Sequence, residues 1–186
     1  MTTRKIMTIT VVAIVGGIGL FILFLYATIK TKSTGLDTYP PFSEWVGKTV
    51  TLHRETTVFE ESITAHTNSS YPFLLLDSLH PQWQYVEERL RAAEPDLVKV
   101  AVLPAGTRLT LEKAVQYTNG VSGSSYPTLF GTISTGGAHY AIAYQWGERS
   151  LSRHFDGIDE CWQFNKAPWQ AVPDTAYYAL PEARFW

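Results

Sequence analysis

Cysteine is almost missing from this chain of 186 residues: Cys161 stands alone, so no intramolecular disulfide can form and the fold must be held by its core. Acidic residues are missing from the N-terminal part, where the first of the 17 Asp and Glu is Asp37. A basic surplus is missing as well. From Ser33 onward, 11 Lys and Arg face all 17 acids, a balance of −6, which is poorly suited to gripping phosphate backbones and excludes nucleic acid as the expected partner. The five histidines His53, His66, His80, His139 and His154 are scattered, with no H-E-x-x-H and no Cys/His pair at zinc spacing, so each reads as a surface or edge residue and no metal or cofactor is expected. There is also no internal repeat and no low-complexity tract.

What the N-terminus has is one uncharged run of 24 residues, Ile6 to Ile29, above the roughly 20 that carry a helix across a bilayer core. It exceeds the apolar stretch of a cleavable signal peptide, and Leu25-Tyr26-Ala27 puts a large residue where a small one is needed for cleavage. The run reads as a signal anchor. Arg4, Lys5 and the α-amino group flank it on one side and Lys30 and Lys32 on the other, a bias that places residues 1–5 in the cytoplasm and the remainder outside. In a bacterium that is a single-pass inner-membrane protein with its C-terminal domain in the periplasm. Ala13 and Gly17 have the spacing that lets two such helices approach, although glycines are common in membrane helices and a weak homodimer through them is the lesser reading.

Beyond the anchor, residues 30–43 hold Ser, Thr, Gly, Asp and the Pro40-Pro41 pair with no apolar periodicity, and read as a linker. Residues 44–186 form one domain, and its signals are mainly those of strands. Thr49 to Phe59 is rich in Thr and Val, and Phe73 to Leu76 is a short apolar run. Arg108 to Tyr117 alternates, with Leu109, Leu111, Val115 and Tyr117 on one face. Tyr140, Ile142, Tyr144 and Trp146 share a face, and Leu129, Gly131 and Ile133 alternate upstream of a Ser134-Thr135-Gly136-Gly137 turn, so the two runs predict a hairpin. Leu79, Trp83, Val86, Leu90 and Ala93 instead recur at helical spacing and predict one amphipathic helix over 81–93, its Trp83 stripe packed on the sheet. The fold class is mostly β, a small SH3-like barrel or sandwich with one amphipathic helix, preceded by a single transmembrane helix.

Within residues 100–146, the segment VAVLPAGTRLTLEKAV with Leu103, Pro104, Gly106 and Thr107 resembles the strand-turn-strand of bacterial SH3-like barrel domains, and Tyr140 to Trp146 stands in the place of their later aromatic hairpin. The resemblance implies a module that binds peptides, glycan or partner proteins rather than one that catalyses.

Cys161 with His154 and Asp156 would supply the parts of a cysteine hydrolase, but between Glu160 and Trp162 the thiol reads first as a small buried apolar residue. The acids of HFDGIDE miss the calcium-loop order and read as a solvated loop. Aromatic residues are plentiful, 22 from Ser33 on. Most belong in the core; Trp162, Trp169 and Trp186, in segments broken by Pro168, Pro173 and Pro181, are expected at the surface, where with Asp156, Asp159 and Glu160 they would bind a basic protein partner. The expected function is a membrane-anchored, non-enzymatic binding protein with an extracytoplasmic β domain, within that class an immunity-type inhibitor of a secreted toxin. A cell-envelope scaffold or assembly factor is the alternative, and a cysteine hydrolase using Cys161 and His154 the second alternative. A topology reporter fused after Trp186 is expected to be active only outside the cytoplasm; activity confined to the cytoplasm reverses the orientation.

Overall fold

The computed structural model describes residues 3–61 and 68–181. It opens with α1 (Thr3–Ile29), a 27-residue helix, long and apolar enough to cross a membrane and with none of its residues buried by the rest of the chain. The hydroxyls of Thr8, Thr10 and Thr28 donate to carbonyls one turn back, at 2.9, 3.0 and 3.1 Å, so these hydroxyls are satisfied within the helix, as an apolar surrounding demands.

The remainder is mostly β. Its strands are β1 (Lys32–Gly35), β2 (Thr49–Thr51), β3 (Thr56–Glu61), β4 (Phe73–Leu76), β5 (Leu97–Leu103), β6 (Arg108–Thr118), β7 (Ser125–Thr135), β8 (Ala138–Gln145), β9 (Glu148–Arg149) and β10 (Trp162–Gln163). Two further helices, α2 (Trp83–Leu90) and α3 (Leu151–Phe155), interrupt them. The main sheet runs β1-β6-β7-β8-β4-β3-β5, with β2 also on β6, and β9 and β10 make a separate ribbon. All ladders are antiparallel except β4 on β8, which the intervening chain makes parallel. β5 and the β1/β2 edge end the sheet without a ladder between them, so no closed barrel forms among the described residues.

The β7–β8 hairpin is as expected. Gly136 and Gly137 both take positive φ, +58° and +82°, which matches the twist of the strands they join. The helix α2 is shorter than the expected 81–93. Its Val86 is buried with Phe59, Leu76 and Leu97 on the outer face of the sheet, and Trp83 meets Phe59 edge-on at 6.1 Å. Past Leu90 there is no further apolar face to bury, and Pro95 disfavours a helical Glu94.

Two expectations are corrected. Residues 30–43, expected as a linker, are built into the domain: β1 pairs with β6 from Lys32 opposite Thr118 to Gly35 opposite Val115, Leu36 and Phe42 are fully buried, and Asp37 Oδ1 accepts from the Ala114 amide at 2.6 Å. Two apolar residues in a polar stretch suffice because each reaches the common core. The alternation along β6 is also broken. A bulge between Leu111 and Lys113 inserts Glu112, so Leu109, Leu111 and Ala114 share the core side while Val115 and Tyr117 turn to the opposite face.

The core lies between the sheet and the C-terminal segment. Trp146 is at its centre, edge-on to Phe42, Phe164 and Trp169 at centroid distances of 5.6, 4.9 and 5.7 Å. At two glycines neighbouring backbone leaves no room for a side chain. A Cβ at Gly131 would lie 2.3 Å from the Thr110 carbonyl oxygen, and one at Gly120 would lie 2.4 to 2.7 Å from the carbonyls of Thr28, Ile29 and Lys30, at and just past the end of α1. Both neighbours are backbone and cannot yield by a rotamer change. Gly131→Ala is expected to lower the stability of the full chain in detergent by about 1–3 kcal/mol, read as a shift in the urea midpoint; an unchanged midpoint contradicts the packing described.

Candidate functional site

After β8 the chain turns at Gly147, whose φ of +114° and lack of a side chain let the Phe164 ring pack against it. It then makes an excursion: β9, α3, a loop with three acids, and back through β10. The base of the excursion is a ladder, Arg149 opposite Trp162 and Glu148 opposite Gln163, reinforced by a Ser150 amide donating to the Cys161 carbonyl at 2.7 Å. Trp162 and Tyr178 exchange both backbone bonds, at 3.0 and 2.8 Å.

α3 has five residues, too short to stand on its own propensity. Its end is closed by a Schellman pattern: the Gly157 amide donates to His154 O and the Ile158 amide to Arg153 O, with Gly157 at φ +73°. Arg153 is held twice, its Nε donating to Glu160 O at 2.7 Å and its guanidinium 4.2 Å from the Tyr177 ring centroid. A braced short helix is thereby held out from the body. Leu151 and Phe155, one turn apart on it, are 63 % and 82 % exposed, and Asp156, Asp159 and Glu160 beside them are exposed as well.

The three acids are therefore where the sequence places them, in solvent. The tryptophans are not. Trp162 and Trp169 are 2 % and 3 % exposed, which corrects the expectation of a surface pair. Trp162 lies under the Arg149 guanidinium, 5.0 Å from its ring centroid, and Trp169 packs on Tyr144 and Trp146. The proline-broken segments, with at most a two-residue ladder, stay in place here by burying their aromatics. Trp186 and His66 lie outside the described residues. The large apolar contacts that sequence reasoning missed are Leu151 and Phe155; their signal was an apolar pair in a polar segment whose glycine leaves no room for a longer helix.

Cys161 is 6 % exposed and belongs to the core cluster. It shares a shallow groove of about 540 Å³ with His154, Asp159, Arg149, Tyr39 and Leu180, yet no hydrogen bond joins its sulfur to His154 among the described residues. Nor does any group of three His, Cys, Asp or Glu side chains converge there on a common point.

Behind the ribbon lies a buried polar network. Asp77, fully buried at its side chain, is paired with Arg54 at 3.0 Å and accepts from the Leu79 amide at 2.8 Å. His80 corrects the expectation of a surface histidine, being 5 % exposed. Its Nδ1 accepts from the Gln82 amide at 3.1 Å, which puts the proton on Nε2, 2.8 Å from the Gln145 carbonyl it donates to. Burial lowers the His80 pKa below its ordinary value near 6.5, against the opposing pull of the Gln145 carbonyl and of Asp77. Asn165 donates to the Tyr144 hydroxyl at 3.1 Å, and burial pushes that phenol up strongly.

No protein-family model, no curated protein and no solved structure matches this chain.

A histidine whose folded pKa is depressed binds protons more readily in the unfolded chain, so its contribution is complete above pH about 6.5 and is lost as pH falls toward the folded value. The urea midpoint of the full chain in detergent is expected to fall as pH is lowered from about 7 to about 5, and to fall less in His80→Gln. Equal slopes for the two proteins contradict this role for His80.

Proposed function

We propose that this chain is a membrane-anchored, non-catalytic binding protein whose β domain lies outside the cytoplasm and captures a basic protein. The observation that supports this most directly is α3: a helix closed by its own glycine and pinned by Arg153 holds Leu151 and Phe155 in solvent beside Asp156, Asp159 and Glu160. An exposed aromatic on a rigid mount loses little entropy on contact, and a neighbouring acidic field accelerates the approach of a cationic partner. α1 supplies the tether, which concentrates the domain at the bilayer. The likeness of residues 100–146 to SH3-like modules points toward binding as well.

Within this class the function we favour is an immunity-type inhibitor of a secreted toxin, in the periplasm of a bacterium and anchored in its inner membrane. A basic toxin reaching the membrane meets an acidic, aromatic-tipped domain already stationed there. The test is a photoreactive phenylalanine analogue in place of Phe155 in the full-length protein, irradiated in the source cells. One protein with a basic isoelectric point is expected in the adduct, and the combined change Asp156→Lys, Asp159→Lys and Glu160→Lys is expected to slow association about tenfold or more at low salt. A set of several envelope proteins in the adduct favours a scaffold instead, and an acidic partner indifferent to the charge reversal removes the proposal.

A further inference from the structure

In the β9–β10 ladder, Arg149 and Trp162 face the Cys161 groove, so their neighbours Glu148 and Gln163 face the other way. On that second side lies a cleft of about 510 Å³, between the ribbon, the start of α2 and residues 174–177. Its volume falls in the range of pockets that bind small ligands. The lining is unusual in kind. It brings together four carboxamides, Gln82, Gln145, Gln163 and Asn165, and two carboxyl side chains, Glu148 and Asp174, with no Lys or Arg.

These groups are mounted on the rigid part of the molecule. Gln82 and Gln145 are joined at 2.8 Å through one amide hydrogen bond, which leaves Gln82 Oε1 and Gln145 Nε2 without a protein partner among the described residues. Asn165 is fixed by its bond to Tyr144, and His80, locked between two backbone groups, closes the rear. Asp174 accepts from the Tyr178 hydroxyl at 2.6 Å and the Ala176 amide at 2.9 Å, and burial together with that carboxylate pushes the Tyr178 phenol up to about 12. Arg153, which stacks on the lining residue Tyr177, is committed to that ring and to the Glu160 carbonyl.

A carboxamide offers two N–H donors and a C=O acceptor in one plane, so it can match the N–H donor and C=O acceptor that each unit of an extended backbone offers. A wall of four reads a backbone without reading its side chains, and the two carboxyls add a preference for a cationic one. A phosphate or other anion finds no positive group here. We infer that this cleft receives an extended, Lys- or Arg-bearing segment of the same protein partner that docks on α3, an inference that rests on the binding function proposed above.

The experiment places the photoreactive analogue at Gln163, an exposed position whose replacement leaves the core intact, in the full-length protein and in parallel with the Phe155 version. Expected is the same protein in both adducts, with the Gln163 crosslink mapping by mass spectrometry to a segment containing Lys or Arg. Glu148→Lys is expected to reduce the Gln163 adduct at least fivefold and the Phe155 adduct less. A Phe155 adduct with no Gln163 adduct, or a Gln163 crosslink on a segment without Lys or Arg, overturns the cleft assignment and leaves the docking on α3 standing. A Gln163 adduct to a glycan overturns the choice of a peptide occupant. Absence of both adducts overturns the cleft assignment and the binding proposal together.

Discussion

The burial of Trp146 positions the excursion and the C-terminal segment that carry the candidate site. Its indole is fully enclosed, and its Nε1 donates to the Asn165 carbonyl at 2.7 Å, so a ring that ends β8 also fixes a segment with no ladder of its own. Edge-on contacts of this kind add about 0.5–1.5 kcal/mol each beyond the area they bury, and Trp146 makes three of them, with Phe42, Phe164 and Trp169. The residues recruited come from both ends of the domain. Phe42 brings in the segment after β1, and Phe164 and Trp169 bring in the chain after β10, so one side chain sets where the excursion begins and ends. With one cysteine and hence no intramolecular disulfide, it is this cluster that ties the two ends of the domain together.

Much of the fold was legible in the sequence because it obeys local periods. The hairpin of β7 and β8 is announced by alternation on both sides of a Gly-Gly pair, and α2 by apolar residues at three- and four-residue spacing. The bulge at Glu112 was not legible, since apolar residues occur on both sides of β6 and alternation alone does not say where it slips. Leu36 and Phe42 were illegible for a different reason: a single apolar residue in a polar stretch carries no period, and only the three-dimensional core shows that it has a place to go.

The candidate site divides in the same way. Asp156, Asp159 and Glu160 could be assigned to solvent from their charge and from the glycine-broken segment that carries them. Trp162 and Trp169 could not, because proline punctuation looks the same in a surface loop and in a strap drawn across an aromatic core. The cleft of carboxamides assembles residues from α2, β8, β10 and the tail, 80 or more positions apart in part, and has no linear signature. His80 belongs with it: a polar residue in a turn before a helix reads as exposed until the carbonyl of Gln145 is seen to meet it.

A flexible tether of 14 residues would let the domain wander about 20 Å from its mooring. The connection between Ile29 and Lys32 is instead two residues long, and Gly120 sits against the last carbonyls of α1. With α1 in a bilayer, so short a connection would hold the domain close to the lipid surface instead of letting it range outward. A body moored so tightly would drift sideways with its helix, and crowding along the membrane plane rather than bulk concentration would set how often it meets another molecule.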